Sequence, residues 1–287
     1  MRLSGGSRLA VRGGVTLTLA FIYLPLLVIF LYAFNESRLL QWPPPGLTLE
    51  WFGKALTNSG ARDALLTSLK VAALATVIAI LLGTLASLAV SRHRFFGRET
   101  ISFLVILPIA LPGIVTGIAL NTMFTQILGI GLGIFTIVVA HATFCIVVIY
   151  NNSVARLRRM SGSLEEASAD LGADPWQTFR HVTLPGMRTA IIAGALLAFA
   201  LSFDEIIVTT FTAGHEATLP IRILTNLSRP NQLPVVDVVA VFVILLSIIP
   251  VYVANRLTQT DEGVGGRPGG GVAAGNTSVA AEGTAVP

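Results

Sequence analysis

Apolar residues in this chain come in long runs separated by short polar stretches, without the period-two alternation of half-buried strands. Six runs approach or exceed the roughly 20 residues that a helix needs to cross a bilayer: 15–34, 65–90, 101–127, 134–150, 189–211 and 235–253. Backbone in lipid must satisfy its own polar groups, so each run predicts a helix. The expected fold class is an all-α integral membrane protein with six transmembrane helices. The third run is interrupted by Pro108 and Pro112 and carries Gly113 and Gly117, a small-xxx-small pair that permits close helix approach. Between the first two runs, residues 47–56 predict an interfacial helix with Trp51 and Phe52 at headgroup level. The first run follows Arg2, Arg8 and Arg12. It is too long for a signal-peptide core and no small-residue cleavage site follows it, so an uncleaved span is expected.

Composition agrees with this pattern. Of 287 residues, 53% are hydrophobic and only 12% charged, with a mean hydropathy of +0.77. Soluble domains carry about 25% charged residues. The net charge of +4 does not imply nucleic acid, because the basic residues cluster beside apolar runs. Arg2, Arg8, Arg12, Arg92, Arg94, Arg98, Arg156, Arg158, Arg159, Arg180, Arg188, Arg256 and Arg267 fall on one side of the expected spans. The other side holds Arg38, Lys54, Arg62, Lys70, Arg222 and Arg229. Basic residues concentrate on the cytoplasmic side, so both termini are expected there. A single cysteine, Cys145, leaves no disulfide framework. Neither lysine follows a P-loop glycine pattern, so the chain has no such site for ATP. Residues 1–14 form an N-terminal segment and 15–256 a membrane domain. The Gly-, Ala-, Ser- and Thr-rich tail 257–287 is expected to be disordered.

The longest polar stretch in the middle of the chain, 161–188, predicts a helical hairpin. Ser163 and Glu166 suit a capping box, Leu164, Ala167 and Leu171 share one face, and Gly172 suits a left-handed stop. Asp174 with Gln177 predicts a second box, with Pro175 at the first helical position, and Leu184-Pro185 is expected to close this helix. Trp176 and Phe179 form an aromatic knob. The hairpin is either an interhelical loop folded on its own bundle or a docking element.

The residues Glu166-Ala167, Gly172, Val182, Leu184 and Pro185 resemble the EAA loop of ABC importer membrane subunits. That pattern is Glu-Ala-Ala, three residues, Gly, nine residues, then Ile-x-Leu-Pro, and Ser168 and Val182 are the departures. The resemblance implies a type I ABC importer permease fold in a bacterial plasma membrane. Its implied partners are a second permease subunit, a dimer of ATPases that bind ATP and magnesium, and an extracytoplasmic binding protein. The coupling residues it implies are Glu166, Ala167, Gly172, Asp174, Pro175 and Trp176. No cofactor and no enzymatic step are expected in this chain. RHRFFGR at 92–98, LPIALPGIVTGI at 107–118, HATFC at 141–145 and SFDEIIVTTFTAGHEATLP at 202–220 are similar to the second permease subunit of spermidine/putrescine importers.

Asp204 and Glu205 lie in the fifth run, where a charge costs roughly 2.5–3.5 kcal/mol at mid-membrane and needs a compensating role. Ser202, Glu205, Thr209 and Thr212 repeat at helical spacing, a polar stripe suited to a wet pathway. The candidate pathway residues are Asp204, Glu205, Ser202, Phe203 and Thr209, with Phe199 and Phe203 placed for cation–π contact with an ammonium. The two acids could instead pair with a neighbouring subunit or cap a broken helix. Gly113 departs from the polyamine pattern, which has an acid there. Either the partner subunit supplies the missing charge, or the substrate is another small solute, such as an aminophosphonate or a metal ion. Asn121 suits an interhelical hydrogen bond and His141 packing or a helix-end bond. A stand-alone channel or carrier would have no use for the hairpin. A membrane enzyme would need clustered His, Cys or acids at one depth, which four scattered histidines do not supply.

Overall fold

The computed structural model describes residues 5–38, 41–227 and 233–265, and all elements among them are helical apart from one antiparallel bridge, Asn35 to Leu47. In chain order the helices are α1 (Gly5–Ala33), α2 (Glu50–Thr57), α3 (Ser59–Arg92), α4 (Arg98–Ala110), α5 (Gly113–Thr122) and α6 (Ile134–Arg159). They continue with α7 (Ser163–Asp170), α8 (Pro175–Thr178), α9 (Leu184–Phe203), α10 (Ile207–Thr212), α11 (Leu219–Leu227) and α12 (Leu233–Gly265). Four stretches are long and apolar enough to cross a membrane: α1, α3, α6 and Pro175–Phe203. A fifth joins α4 to α5 through a bend of 104°. In α12 the apolar portion is Leu233–Ile248.

The centre of the fold is the packing of α3, α6 and α9. Ala72, Ala75, Ala79 and Gly83 recur at three- and four-residue spacing on α3, and the three alanines are fully buried. This seam of small side chains lets α6 lie close. At Gly83 a β-carbon would stand 2.9 Å from the Ile146 carbonyl oxygen. Phe144, Cys145, Val148 and Ile149 of α6, with Ala198 of α9, fill the space between. A second cluster joins Ala33 of α1, Trp51 and Ala55 of α2, and Val238 and Val241 of α12. Within its most apolar window α1 is unburied by the rest of the chain.

Several local expectations are corrected. Trp51 is buried and its indole N–H donates to the Asn35 carbonyl at 2.8 Å, so α2 is pinned to the bundle and Trp51 is not a headgroup anchor. Ser163 is the first helical residue of α7 rather than its cap; Gly162 takes the cap position, and the Ser163 N–H donates to the Ser161 hydroxyl at 3.2 Å. Leu184-Pro185 does not close the second hairpin helix. One π-helical turn, Phe179–Thr183, joins α8 to α9, and Pro185 falls in the first turn of α9, where a missing N–H is tolerated. The fifth run is not one helix: it stops at Phe203 and restarts at Ile207. The last helix runs on to Gly265, into the tail expected to lack order; residues 266–287 lie outside the described residues.

The expected break in the third run is present. Pro112 holds Leu111 extended at ψ 144°, and α5 begins at Gly113. Gly117 takes the close approach of α10, since a β-carbon there would stand 2.7 Å from the Phe211 ring.

Candidate functional site: the hairpin and the elbow

Two features sit at the ends of one helical rod. At one end is the hairpin of α7 and α8. Gly172 adopts φ +83°, as a left-handed stop requires. Asp174 Oδ1 accepts the Gln177 N–H at 2.8 Å, and Gln177 Oε1 accepts the Asp174 N–H at 3.0 Å, a complete reciprocal box with Pro175 at the first position. Ser168 and Thr178 hydroxyls meet at 3.0 Å and tie the two arms. The Leu164, Ala167 and Leu171 face is exposed, as are Glu166 and Trp176; Leu171 is 89% exposed. Trp176 and Phe179 rings lie 5.6 Å apart.

The inner face of the hairpin is held by residues that sequence reasoning passed over. Glu165 Oε1 accepts from Arg92 Nη2 at 3.0 Å and from the Thr183 hydroxyl at 2.9 Å, joining α7 to the end of α3 and to the π turn. Arg156 Nε donates to the Gly186 carbonyl at 2.8 Å, fixing the end of α6 to the start of α9. Two adjacent glutamates in α7 give no local sign of which faces inward.

From Pro175 the rod runs through the π turn and α9 to Phe203, and ends at an elbow, residues 204–206. Asp204 is exposed, and among the described residues nothing hydrogen-bonds or ion-pairs with its carboxylate. Glu205 is half-buried and its Oε1 accepts the Val208 N–H at 2.9 Å, so it caps α10. Capping a broken helix was one of the two alternatives open to this acid. Phe199 and Phe203 stack at 6.3 Å along α9.

The polar stripe divides at the elbow. Ser202, Thr209 and Thr212 are buried against α6 and do not continue a line with the acids. Ser202 and Thr209 hydroxyls each lie 2.8 Å from a ring nitrogen of His141, Nδ1 and Nε2 respectively. Thr136 donates to the Thr212 carbonyl at 2.7 Å, and Asn121 Nδ2 to the Phe211 carbonyl at 2.6 Å. The structure thus brings Ser202 and Thr209 together on one histidine, while Asp204 is exposed and Glu205 and Phe203 are half-buried.

An all-helical bundle with several helices long and apolar enough to cross a bilayer, one bent pair and an exposed hairpin has the architecture of a multi-pass membrane protein. A family model described as "Binding-protein-dependent transport system inner membrane component" matches residues 75–260, and the chain belongs to that family. It is 35% identical over 232 residues to the putrescine transport system permease protein PotI of Escherichia coli (strain K12), covering 78% of this chain and 82% of that one. It is 31% identical over 254 residues to the spermidine/putrescine transport system permease protein PotC of the same strain, covering 88% of this chain and 94% of that one. Among solved structures, a bacterial ABC transporter involved in import of the acidic polysaccharide alginate superposes with a TM-score of 0.66 at 18% identity, over 91% of this chain and 99% of that one. That likeness establishes the type I permease fold. The chain is a multi-pass membrane subunit of an ABC importer.

Proposed function

We propose that this chain forms one half of a polyamine pathway and couples it to ATP hydrolysis performed by separate subunits that bind ATP and magnesium. In this reading the six spans are α1, α3, the bent α4–α5 pair, α6, α9 with α10, and α12. Both termini and the hairpin lie in the cytoplasm of a bacterial cell. A second permease completes the pathway, and a binding protein delivers substrate to the outer side.

The observation that carries the reading is the continuous rod from Pro175 to Phe203, with the exposed aromatic Trp176 at one end and the carboxylates of Asp204 and Glu205 at the other. At about 1.5 Å per residue such a rod reaches across a bilayer. An ATPase that seats the Trp176 and Leu171 surface in a cleft moves α8 as it closes. Because α8 and α9 are one body, the elbow moves with it. Glu166, Ala167, Gly172, Asp174 and Pro175 shape the docking surface and its turn.

At the elbow the Asp204 carboxylate, without a partner among the described residues, is suited to an ammonium group, with Glu205 beside it and the Phe203 ring available for a cation–π contact. Ser202 and Thr209 stand behind the elbow and set its shape. The resemblance of the whole chain to putrescine and spermidine/putrescine permeases supports a di- or polyamine as the cation. A β-carbon at Gly113 would stand 3.6 Å from the Ile207 side chain of α10, an ordinary contact; in this reading the acid missing there is supplied by the partner permease.

The test is uptake of radiolabelled putrescine and spermidine by proteoliposomes holding the complete complex with its binding protein. Saturable, ATP-dependent uptake supports the reading. A complex that hydrolyses ATP and imports an aminophosphonate or a metal ion, and no polyamine, rejects the substrate class.

A further inference from the structure

Helix α6 carries a histidine at the heart of the bundle. His141 is 1% exposed, and it touches both sides of the elbow: Ser202 in the last turn of α9 through Nδ1, and Thr209 in α10 through Nε2, each at 2.8 Å. These partners lie on opposite sides of the break at 204–206.

The hydroxyl protons fix the direction of these bonds. Thr209 Oγ1 lies 2.7 Å from the Glu205 carbonyl oxygen, which can only accept, so the single Thr209 proton is committed there. Thr209 Oγ1 therefore accepts from His141, and Nε2 carries the ring proton. Ser202 has no other acceptor among the hydrogen bonds of the described residues, so its hydroxyl donates to Nδ1. A doubly protonated ring would leave the Ser202 proton without an acceptor in a buried place, which is costly. The result is a closed relay: Ser202 O–H to Nδ1, Nε2–H to Thr209, Thr209 O–H to the Glu205 carbonyl. It ends on the backbone of the elbow itself.

Resting on the pathway reading above, we infer that His141 is a positioning residue. As a neutral imidazole protonated at Nε2, it clamps α9 and α10 at a fixed angle and so sets where Asp204 and Glu205 stand toward the cation. It touches no substrate. An apolar residue of similar size would fill the space but would remove the hydrogen-bonded tie across the break. Among the described residues, α10 would then be hydrogen-bonded to the bundle only at its far end, by Thr136 and Asn121, and so be looser against α9.

A glutamine amide offers an acceptor oxygen and an NH2 donor, so it can replace both bonds of the neutral ring with one N–H to spare, whereas phenylalanine offers neither. In the complete complex, His141→Phe is expected to raise KM for putrescine uptake by roughly tenfold or more, the scale on which two net hydrogen bonds are felt. His141→Gln is expected to stay within a few-fold of wild type. A readout that does not depend on substrate is a nitroxide on Thr210→Cys, an exposed α10 position, in a chain whose one native thiol, Cys145, is fully buried. The label should become more mobile in His141→Phe and in Thr209→Val, and not in His141→Gln. If His141→Phe does not assemble, Thr209→Val tests the same link. An unchanged label in Thr209→Val, or equal mobility in the Gln and Phe variants, overturns the clamp. Mobility changes without any polyamine uptake by the wild type would uphold the clamp and reject the pathway reading.

Discussion

Glu165 and Arg92, far apart in sequence, meet at 3.0 Å where the hairpin joins the end of α3. The same carboxylate oxygen also accepts from Thr183, so one side chain holds the first arm of the hairpin against both α3 and the π turn. Both side chains are largely shielded, at 25% and 22% exposure. Partial burial makes the pair worth more than a solvated surface bridge, on the order of 1 kcal/mol. A double-mutant cycle with Arg92→Ala and Glu165→Ala, read as thermal stability of the assembled complex, is expected to give a coupling of that size. Additive effects would mean that the pair does not hold the hairpin.

At Gly172 the turn demands a left-handed backbone, φ +83°. Any β-carbon there costs about 1–2 kcal/mol, and Asn tolerates the region best. Substrate-stimulated ATP hydrolysis should therefore fall in the order Gly172, Gly172→Asn, Gly172→Val. An indifferent series would show that the turn shape plays no part in docking.

The π turn is where the docking arm becomes the fifth span. Replacing exposed His181 and half-buried Val182 by glycine costs about 0.5 kcal/mol of helix propensity at each position and loosens the joint. The expected outcome is a complex that still hydrolyses ATP but takes up far less substrate per ATP. Measuring both rates in one proteoliposome preparation decides it. An unchanged ratio would mean that the rod does not transmit the motion.

Glycine has opposite roles in two of the helices. Gly83→Ala places a methyl against the Ile146 carbonyl and the Ile149 side chain, backbone and core that cannot yield cheaply, and should destabilise by about 1–3 kcal/mol. Gly53 of α2 has open space around it, so Gly53→Ala should be neutral or stabilising by about 0.5 kcal/mol. Melting temperatures of the detergent-solubilised complex compare the two.

Local chemistry made much of this legible in the sequence. The Asp174-Gln177 box, the Gly172 stop and the Pro112 bend each depend on residues within one turn of each other, and the structure has all three. What escaped depends on partners distant in sequence. His141 reads as one polar residue in an apolar run until Ser202 and Thr209 are placed against it. Trp51 resembles a headgroup anchor until Asn35 offers its carbonyl. The elbow was hidden because Glu205 fits a helical stripe with Ser202, Thr209 and Thr212 on paper. In the fold, the Glu205 carboxylate takes the Val208 N–H and lets the helix restart. Leu184-Pro185 reads as a stop, yet a π turn before it accommodates the ring.

The central claim is that carboxylate charge at the elbow meets the imported cation. Asp204→Asn removes the charge from an exposed side chain that holds no structural bond among the described residues. Glu205→Gln removes the charge while leaving an oxygen to cap Val208, so neither change should disturb the fold. Putrescine uptake by the complete complex should show KM raised by roughly tenfold or more in Asp204→Asn, with further loss when Glu205→Gln is added, while assembly is unaffected. Wild-type KM and rate in the double variant would contradict the account.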